Sequence, residues 1–321
     1  MYFENVPDKV SANEAVELAK ANDVSLIIGT DPDADRMGIA VRDFEGKFVL
    51  LTGNQIGVLL ADYIMRRKQE TGTLPQNGAL IKTIVTTELA RKVADSYGVT
   101  TFDVLTGFKF IGEKMTAWAK TGEYTYVFGY EESYGSLVGT HARDKDAVVA
   151  SMLFAEMTCY YASKGKSVYG VLQEIFEKHG YFIEKTISIT FPGLDGMENM
   201  ASIMKMMREN KYTTVAGKQV EMVDDFVTRT RTYADGRKEP LELPKTNALK
   251  LHLENGDWIC VRPSGTEPKL KIYGACSAPT MSLATKKVEE YLASFKAIFI
   301  FVAKSDGDWP RTPSLTFAPI L

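Results

Sequence analysis

Several patterns are missing from this chain, and each omission closes off a class of protein. No apolar run approaches the ~20 residues a helix needs to cross a bilayer, so no membrane partner is expected. The first residues carry no basic-then-apolar leader pattern, and a cytoplasmic protein is expected. Cysteine is scarce: Cys159, Cys260 and Cys276 are an odd count without metal-type spacing, which suits a reducing compartment and no structural disulfides. Histidine is equally scarce, and His141, His179 and His252 are too scattered for a zinc site. The net charge is only -3, so nothing points to a nucleic-acid partner. There is no internal repeat and no low-complexity tract.

What is present has the mix of a globular protein. The chain has 321 residues, 45% hydrophobic and 25% charged. That length allows about two or three domains and a sizeable core. Ser11-Ala12-Asn13-Glu14 reads as a capping box opening a helix to about Asn22. A strand over 24–29 follows, and one helix and one strand are too little to complete a domain, so the chain is expected to start inside one. Glu45-Gly46 predicts a hairpin between 38–41 and 47–51, and Thr52-Gly53-Asn54-Gln55 is a second capping box, with a helix to about Gln69. Strands at 79–84, 99–105 and 124–128 alternate with helices at 88–97 and 108–120, the pattern of an α/β domain. Helices follow at about 144–163 and 167–179. From Tyr181 the texture changes to an antiparallel α+β pattern: strands at 181–190, 226–233, 248–253, 258–262 and 269–275, helices near 197–210 and 280–296. Ile298-Phe299-Ile300-Phe301-Val302 is a β-prone run that breaks the amphipathic pattern before it.

The chemistry concentrates in a few loops. Asp31-Pro32-Asp33-Ala34-Asp35-Arg36 lies between two apolar runs, with three carboxylates two residues apart. Like charges this close repel unless a cation holds them, and such a loop suits a hard ion such as Mg²⁺. Arg36 adds a fixed cation for an anionic group. An EF-hand would need Gly and Glu where Arg36 and Arg42 stand, and a dehalogenase-type loop does not take an aspartate at Asp35. A solvated acidic turn is the bland alternative. Gly129-Tyr130-Glu131-Glu132-Ser133 follows a strand, and Glu131 and Ser133 could bond vicinal sugar hydroxyls. His141-Ala142-Arg143-Asp144-Lys145-Asp146 is dense in charge before a helix, where Asp144 or Asp146 also reads as an N-cap. In Thr106-Gly107-Phe108-Lys109 the lysine could carry a proton or meet a phosphate; alone it would read as solvated. Arg262-Pro263-Ser264-Gly265-Thr266-Glu267-Pro268-Lys269 has the glycine, hydroxyls and guanidinium of a phosphate cradle, or of an ordinary turn with basic neighbours.

Taken together, and in this order, these loops resemble those of the α-D-phosphohexomutases, the phosphoglucomutase and phosphomannomutase superfamily, over roughly residues 10–296. The Gly-Tyr-Glu-Glu-Ser and Gly-Phe-Lys versions, with Phe110-Ile111-Gly112, are most similar to the phosphoglucomutase/phosphopentomutase branch. The resemblance implies an α/β fold: three-layer α/β domains followed by a smaller α+β C-terminal domain with an antiparallel sheet. It places the end of a metal-binding domain at 1–48, a sugar-binding domain at 49–179, a phosphate-binding domain at 180–296 and a tail of unassigned origin at 297–321. It implies an isomerase of carbohydrate metabolism that exchanges sugar 1-phosphate and 6-phosphate through a bisphosphate, on hexose or pentose phosphates. Asp31, Asp33 and Asp35 would hold Mg²⁺, with Arg36 and Lys109 catalytic. Gly107, Glu131, Ser133, His141, Arg143 and Lys145 would bind substrate, and Arg262, Ser264, Gly265 and Thr266 its phosphate. The family's Thr-Ala-Ser-His-Asn-Pro-type phosphoserine loop is absent, so these 321 residues alone are expected not to turn over. A non-catalytic fragment that binds metal and sugar phosphate, and a metal-dependent sugar phosphatase, are the alternatives.

Overall fold

The computed structural model describes residues 9–191, 195–264, 267–304 and 314–316. The chain divides into two compact units, Met1–Gly180 and Tyr181–Leu321. Among the described residues no helix is long and apolar enough to cross a membrane.

In the first unit, helix α1 (Lys9–Ala21) leads into an antiparallel sheet of β1 (Leu26–Thr30), β2 (Met37–Arg42) and β3 (Phe48–Leu51). Ser11 falls inside α1, so the expected capping box is not its start; an N-cap residue needs non-helical backbone. The β2–β3 hairpin forms at Glu45-Gly46, where Asp43 Oδ1 accepts from the N–H groups of Glu45 and Lys47. Helix α2 (Gly53–Glu70) starts at the second capping box. There Thr52 Oγ1 accepts from Gln55 N at 3.2 Å, and Gln55 Oε1 accepts from Thr52 N at 2.9 Å.

A four-stranded sheet follows, ordered β5-β4-β6-β7, from β4 (Gly78–Thr83), β5 (Thr100–Val104), β6 (Thr125–Tyr130) and β7 (Ser136–Val138). The first three run parallel and β7 is antiparallel to β6. Every residue of the central β4 is buried, as a parallel strand covered on both faces requires. Helix α3 (Leu89–Asp95) joins β4 to β5, and α4 (Phe108–Thr121) joins β5 to β6. Phe108, Ile111, Met115 and Trp118 form the buried stripe of α4, packed with Ala79, Ile81 and Val104. Helices α5 (Ala147–Ala162) and α6 (Val168–His179) complete the unit, capped by Asp146 and Ser167.

The second unit is one antiparallel sheet with two helices on one face. It contains β8 (Tyr181–Thr190), α7 (Gly196–Glu209), β9 (Thr214–Val215), β10 (Lys218–Asp225), β11 (Thr230–Tyr233), β12 (Lys238–Pro240), β13 (Leu249–Leu253), β14 (Trp258–Pro263), β15 (Lys269–Ala278), α8 (Met281–Lys304) and β16 (Ser314–Thr316). The strand order is β12-β11-β10-β13-β14-β15-β8-β16, with β9 beside β10. Ile203, Met204 and Met207 of α7 and Val288, Leu292 and Phe295 of α8 pack on Ile187, Leu251, Ile259 and Ile272. The opposite face mixes buried Trp258, Cys260 and Tyr273 with charged side chains. There Asp224 takes two hydrogen bonds from Arg231, at 2.6 and 2.8 Å, and lies 2.9 Å from His252 Nε2. Burial alone would raise the Asp224 pKa, but these partners hold it down to about 2.

Two expectations fail here. The strand placed at 226–233 is confined to Thr230–Tyr233, because residues 226–229 form the turn that separates it from β10. The helix expected over 280–296 does not stop there: it runs through the β-prone residues 298–302 to Lys304, since a helix already under way needs no new nucleus to absorb β-branched residues.

Candidate functional site

The loops after parallel strands gather at the strands' C-terminal ends, the usual place for a ligand in an open α/β sheet. In the first unit those loops are residues 84–88 after β4, 105–107 after β5 and 131–135 after β6. The aspartate loop joins them through the backbone. Arg36 and Gly135 form an antiparallel bridge, Met37 N donates to Tyr134 O at 3.2 Å, and Ala147 N donates to Ala34 O at 3.1 Å. Thus four of the five loops singled out from sequence meet: 31–36, 106–109, 129–135 and 141–146.

Side chains tighten this junction. Gly107 N donates to Glu131 Oε1 at 2.7 Å, tying the start of α4 to the sugar loop. Lys145 Nζ lies 3.1 Å from Asp35 Oδ2 and 2.9 Å from Asp144 Oδ1. Burial opposes the Lys145 charge, but Asp144 and Asp35 outweigh it and its pKa is raised. Burial, with Glu132 beside it, raises the pKa of Glu131 against the pull of Gly107 N–H, Lys145 and Arg36. Asp31 Oδ1 accepts from the N–H groups of Asp35 and Arg36, both at 3.1 Å. Those donors overcome desolvation and lower the Asp31 pKa, so this carboxylate is charged and holds its own loop in shape.

Hard carboxylate oxygens are the donor type that Mg²⁺ takes. Asp35 Oδ1 is buried without a hydrogen-bond donor, and the Arg36 Nε is 3.9 Å away. A buried acceptor left this way is costly unless a positive group meets it, so the loop fits a cation in its chemistry and in this oxygen. Asp33 is exposed, and among the described residues no three Asp, Glu, His or Cys side chains form a ready metal cluster.

Other expected residues lie at the edges of this junction. His141 is exposed, with Nε2 2.9 Å from Asp146 Oδ2, the carboxylate that caps α5. Arg143 donates to Thr116 Oγ1, Thr140 O and Ala142 O. With Lys109, Glu113 and Lys120 it lines an open groove of about 520 Å³ along α4. Ser133 is half-buried. In the second unit Arg262, next to the last residue of β14, lies opposite Lys271 of β15, with Nη2 3.5 Å from Tyr273 OH, and Ser264 N donates to Lys269 O at 2.7 Å. Gly265 and Thr266 lie outside the described residues.

The comparisons with known proteins agree on one family. Residues 52–179 match the family model "Phosphoglucomutase/phosphomannomutase, alpha/beta/alpha domain III", and residues 204–280 match that of the same family's C-terminal domain. A phosphoglucomutase of Staphylococcus epidermidis is 36% identical over 287 residues, 89% of this chain and 51% of that protein. This chain belongs to the α-D-phosphohexomutase superfamily. The phosphoglucomutase of Staphylococcus saprophyticus is also 36% identical, over 92% of this chain and 52% of its own length. The chain spans about half the length of the curated relatives it matches. Among solved structures, the phosphoglucomutase parafusin of Paramecium has the same fold with a TM-score of 0.63 at 17% identity, over 97% of this chain and 52% of that one. A family member from Burkholderia thailandensis aligns with a TM-score of 0.57 at 12% identity, over 94% and 52%.

Within this phosphohexomutase fold, sequence reasoning overlooked what supports the junction. Gly53 and Gly57, one turn apart, let α2 approach the sugar loop. A Cβ on Gly53 would stand 2.2 Å from Glu132 O, and one on Gly57 2.0 Å from the Tyr130 ring. Their i, i+4 spacing in the sequence was the available signal. A second support is Lys82, fully buried at the end of β4. Its Nζ donates to Thr86 O at 3.2 Å and lies 2.8 Å from both Glu88 and Asp103. Burial opposes its charge, but Asp103 and Glu88 prevail and raise its pKa.

Proposed function

We propose that these residues serve a metal-assisted phosphoryl transfer between the 1- and 6-positions of a sugar phosphate, through a bisphosphate, as a phosphoglucomutase does. The observation that carries this reading is the meeting of the aspartate loop, the Glu131–Ser133 loop and Lys145 at the C-terminal ends of the parallel strands. Asp31, Asp33 and Asp35 would hold Mg²⁺, which when bound supplies positive charge to a phosphoryl group. Arg36 faces the same charge. Glu131 and Ser133 grip sugar hydroxyls, and Arg262 and Ser264 hold the phosphate that does not react. A glucose, mannose or pentose phosphate would suit these contacts, which are polar and few. The covalent acceptor of the phosphoryl group is not among the residues named here.

Binding tests this reading. Mg²⁺ is expected to bind the purified chain by calorimetry, and Asp35→Asn to weaken it by removing the carboxylate's charge beside the buried oxygen that lacks a donor. Equal affinity in wild type, Asp33→Asn and Asp35→Asn would remove the metal assignment. Arg262→Ala is expected to weaken glucose 6-phosphate binding by about 1.5–3 kcal/mol, the range for a charged hydrogen bond. Its Mg²⁺ affinity should not change, because Asp31–Asp35 belong to the other unit. A variant that binds glucose 6-phosphate as wild type does would show that the loop is an ordinary turn.

A further inference from the structure

Glu132 stands between the two residues assigned to the sugar, yet its carboxylate is taken by a different loop. Glu131 Oε1 accepts from Gly107 N, at the start of α4. Glu132 Oε2 lies 3.0 Å from Thr83 Oγ1 and 3.3 Å from Thr86 Oγ1, in the turn after β4. Both threonines are fully buried. A hydroxyl has one proton to give and two lone pairs that accept. Thr86 Oγ1 accepts from Thr83 N at 3.2 Å, and Thr83 Oγ1 accepts from Val85 N at 3.4 Å. The two hydroxyls also lie 2.8 Å from each other, so one proton is shared within the pair and the pair's remaining proton goes to the carboxylate of Glu132. The turn is anchored in its own right, since Lys82 Nζ donates to Thr86 O from the fully buried end of β4.

We infer that Glu132 is a positioning residue: by accepting from the hydrogen-bonded hydroxyl pair of Thr83 and Thr86 it fixes the backbone from which Glu131 and Ser133 reach the sugar. The inference rests on the proposed reading of those two residues as sugar contacts. It differs from them in role, because the Glu132 carboxylate is engaged by the turn after β4. Rigid attachment of a binding loop to a buried turn lowers the ordering cost of binding. The attachment should therefore appear in affinity for the sugar phosphate.

The test is calorimetry of the full chain with glucose 6-phosphate, with thermal unfolding recorded for each variant. Glu132→Ala should weaken binding about tenfold, the loss of one to two hydrogen bonds' worth of order. Glu132→Gln keeps an amide oxygen for the two hydroxyls and should restore binding to within about threefold of wild type. Thr83→Val with Thr86→Val removes the donors without changing size much and should match Glu132→Ala. Adding Glu132→Ala to that pair should cost no more, since the same interaction is already gone. Equal losses in Glu132→Ala and Glu132→Gln would mean that charge and not positioning matters, and would overturn the inference. So would full additivity of the threonine pair with Glu132→Ala. Glu131→Ala is the reference. If it loses binding while Glu132→Ala and the threonine pair bind as wild type, the positioning role alone falls. If Glu131→Ala itself binds as wild type, the assignment of the sugar loop falls and takes this role with it. Should Glu132→Ala fail to fold, the single change Thr86→Val carries the same comparison.

Discussion

Changing Glu88 to Gln and Asp103 to Asn together is expected to destabilise the chain by about 3–5 kcal/mol, the cost of stranding a buried charge. The charge is that of Lys82, which has no exposed surface, while Glu88 and Asp103 keep side-chain exposures of 24% and 32%. The carboxylates keep Arg91 and some exposure when the ammonium goes; among the described residues the buried ammonium keeps only Thr86 O when they go. Adding Lys82→Met should therefore recover at least about 2 kcal/mol of the loss, because an apolar stem of similar size leaves no charge behind. Urea midpoints at constant slope measure both steps. The pH dependence separates the charge from packing. In wild type the raised Lys82 pKa gives stability that is present below its unfolded value of about 10.4 and lost as pH rises through the folded one. In the double variant the folded pKa drops instead, so stability should climb as pH approaches 10. A triple variant no more stable than the double, with no such climb, would show that Lys82 is not held as a buried ammonium.

Gly53→Ala should cost about 3 kcal/mol, the upper end for overpacking. The added Cβ would meet Glu132 O at 2.2 Å and Tyr134 N at 2.7 Å, both backbone atoms that no rotamer change can move. Helix α2 is fixed at this end by its capping box and by Asn54 Oδ1, which accepts from Thr87 N at 3.1 Å. The strain must then fall on residues 132–134. Amide exchange there should accelerate together with the fall in the urea midpoint. A variant with wild-type stability and unchanged exchange would mean that the helix shifts without disturbing the loop.

The candidate loops stood out in the sequence because each is a contiguous string: Asp31 to Arg36, Gly129 to Ser133, Arg262 to Pro268. Strong local signals also held. Thr52 and Gln55 form both bonds of their box, and β8 runs over the expected residues. What could not be read depends on residues far apart. Lys82 and Asp103 are an ordinary lysine and aspartate until adjacent strands place them 2.8 Å apart. Strand β10 was missed because Lys218-Gln219-Val220-Glu221-Met222-Val223-Asp224-Asp225 is charged at both ends; Asp224 is tolerated there by Arg231 and His252. Residues 298–302 show the reverse error, a local β preference overruled by the helix already running into it.

The pairing of β8 with β15 has a consequence for how the second unit is made. Residue 181 lies opposite residue 278, and residue 190 opposite residue 269. The strand that opens the unit thus waits for nearly the last strand to be synthesised before it has a neighbour. The meander from β10 through β15, by contrast, joins strands close in sequence. Short loops close at little entropic cost, and long ones only after the contacts that reward them exist. Assembly of this unit should run from the meander outwards, with β8 joining β15 late and β16 only after β8. Until it does, β15 presents an open edge to every other nascent chain.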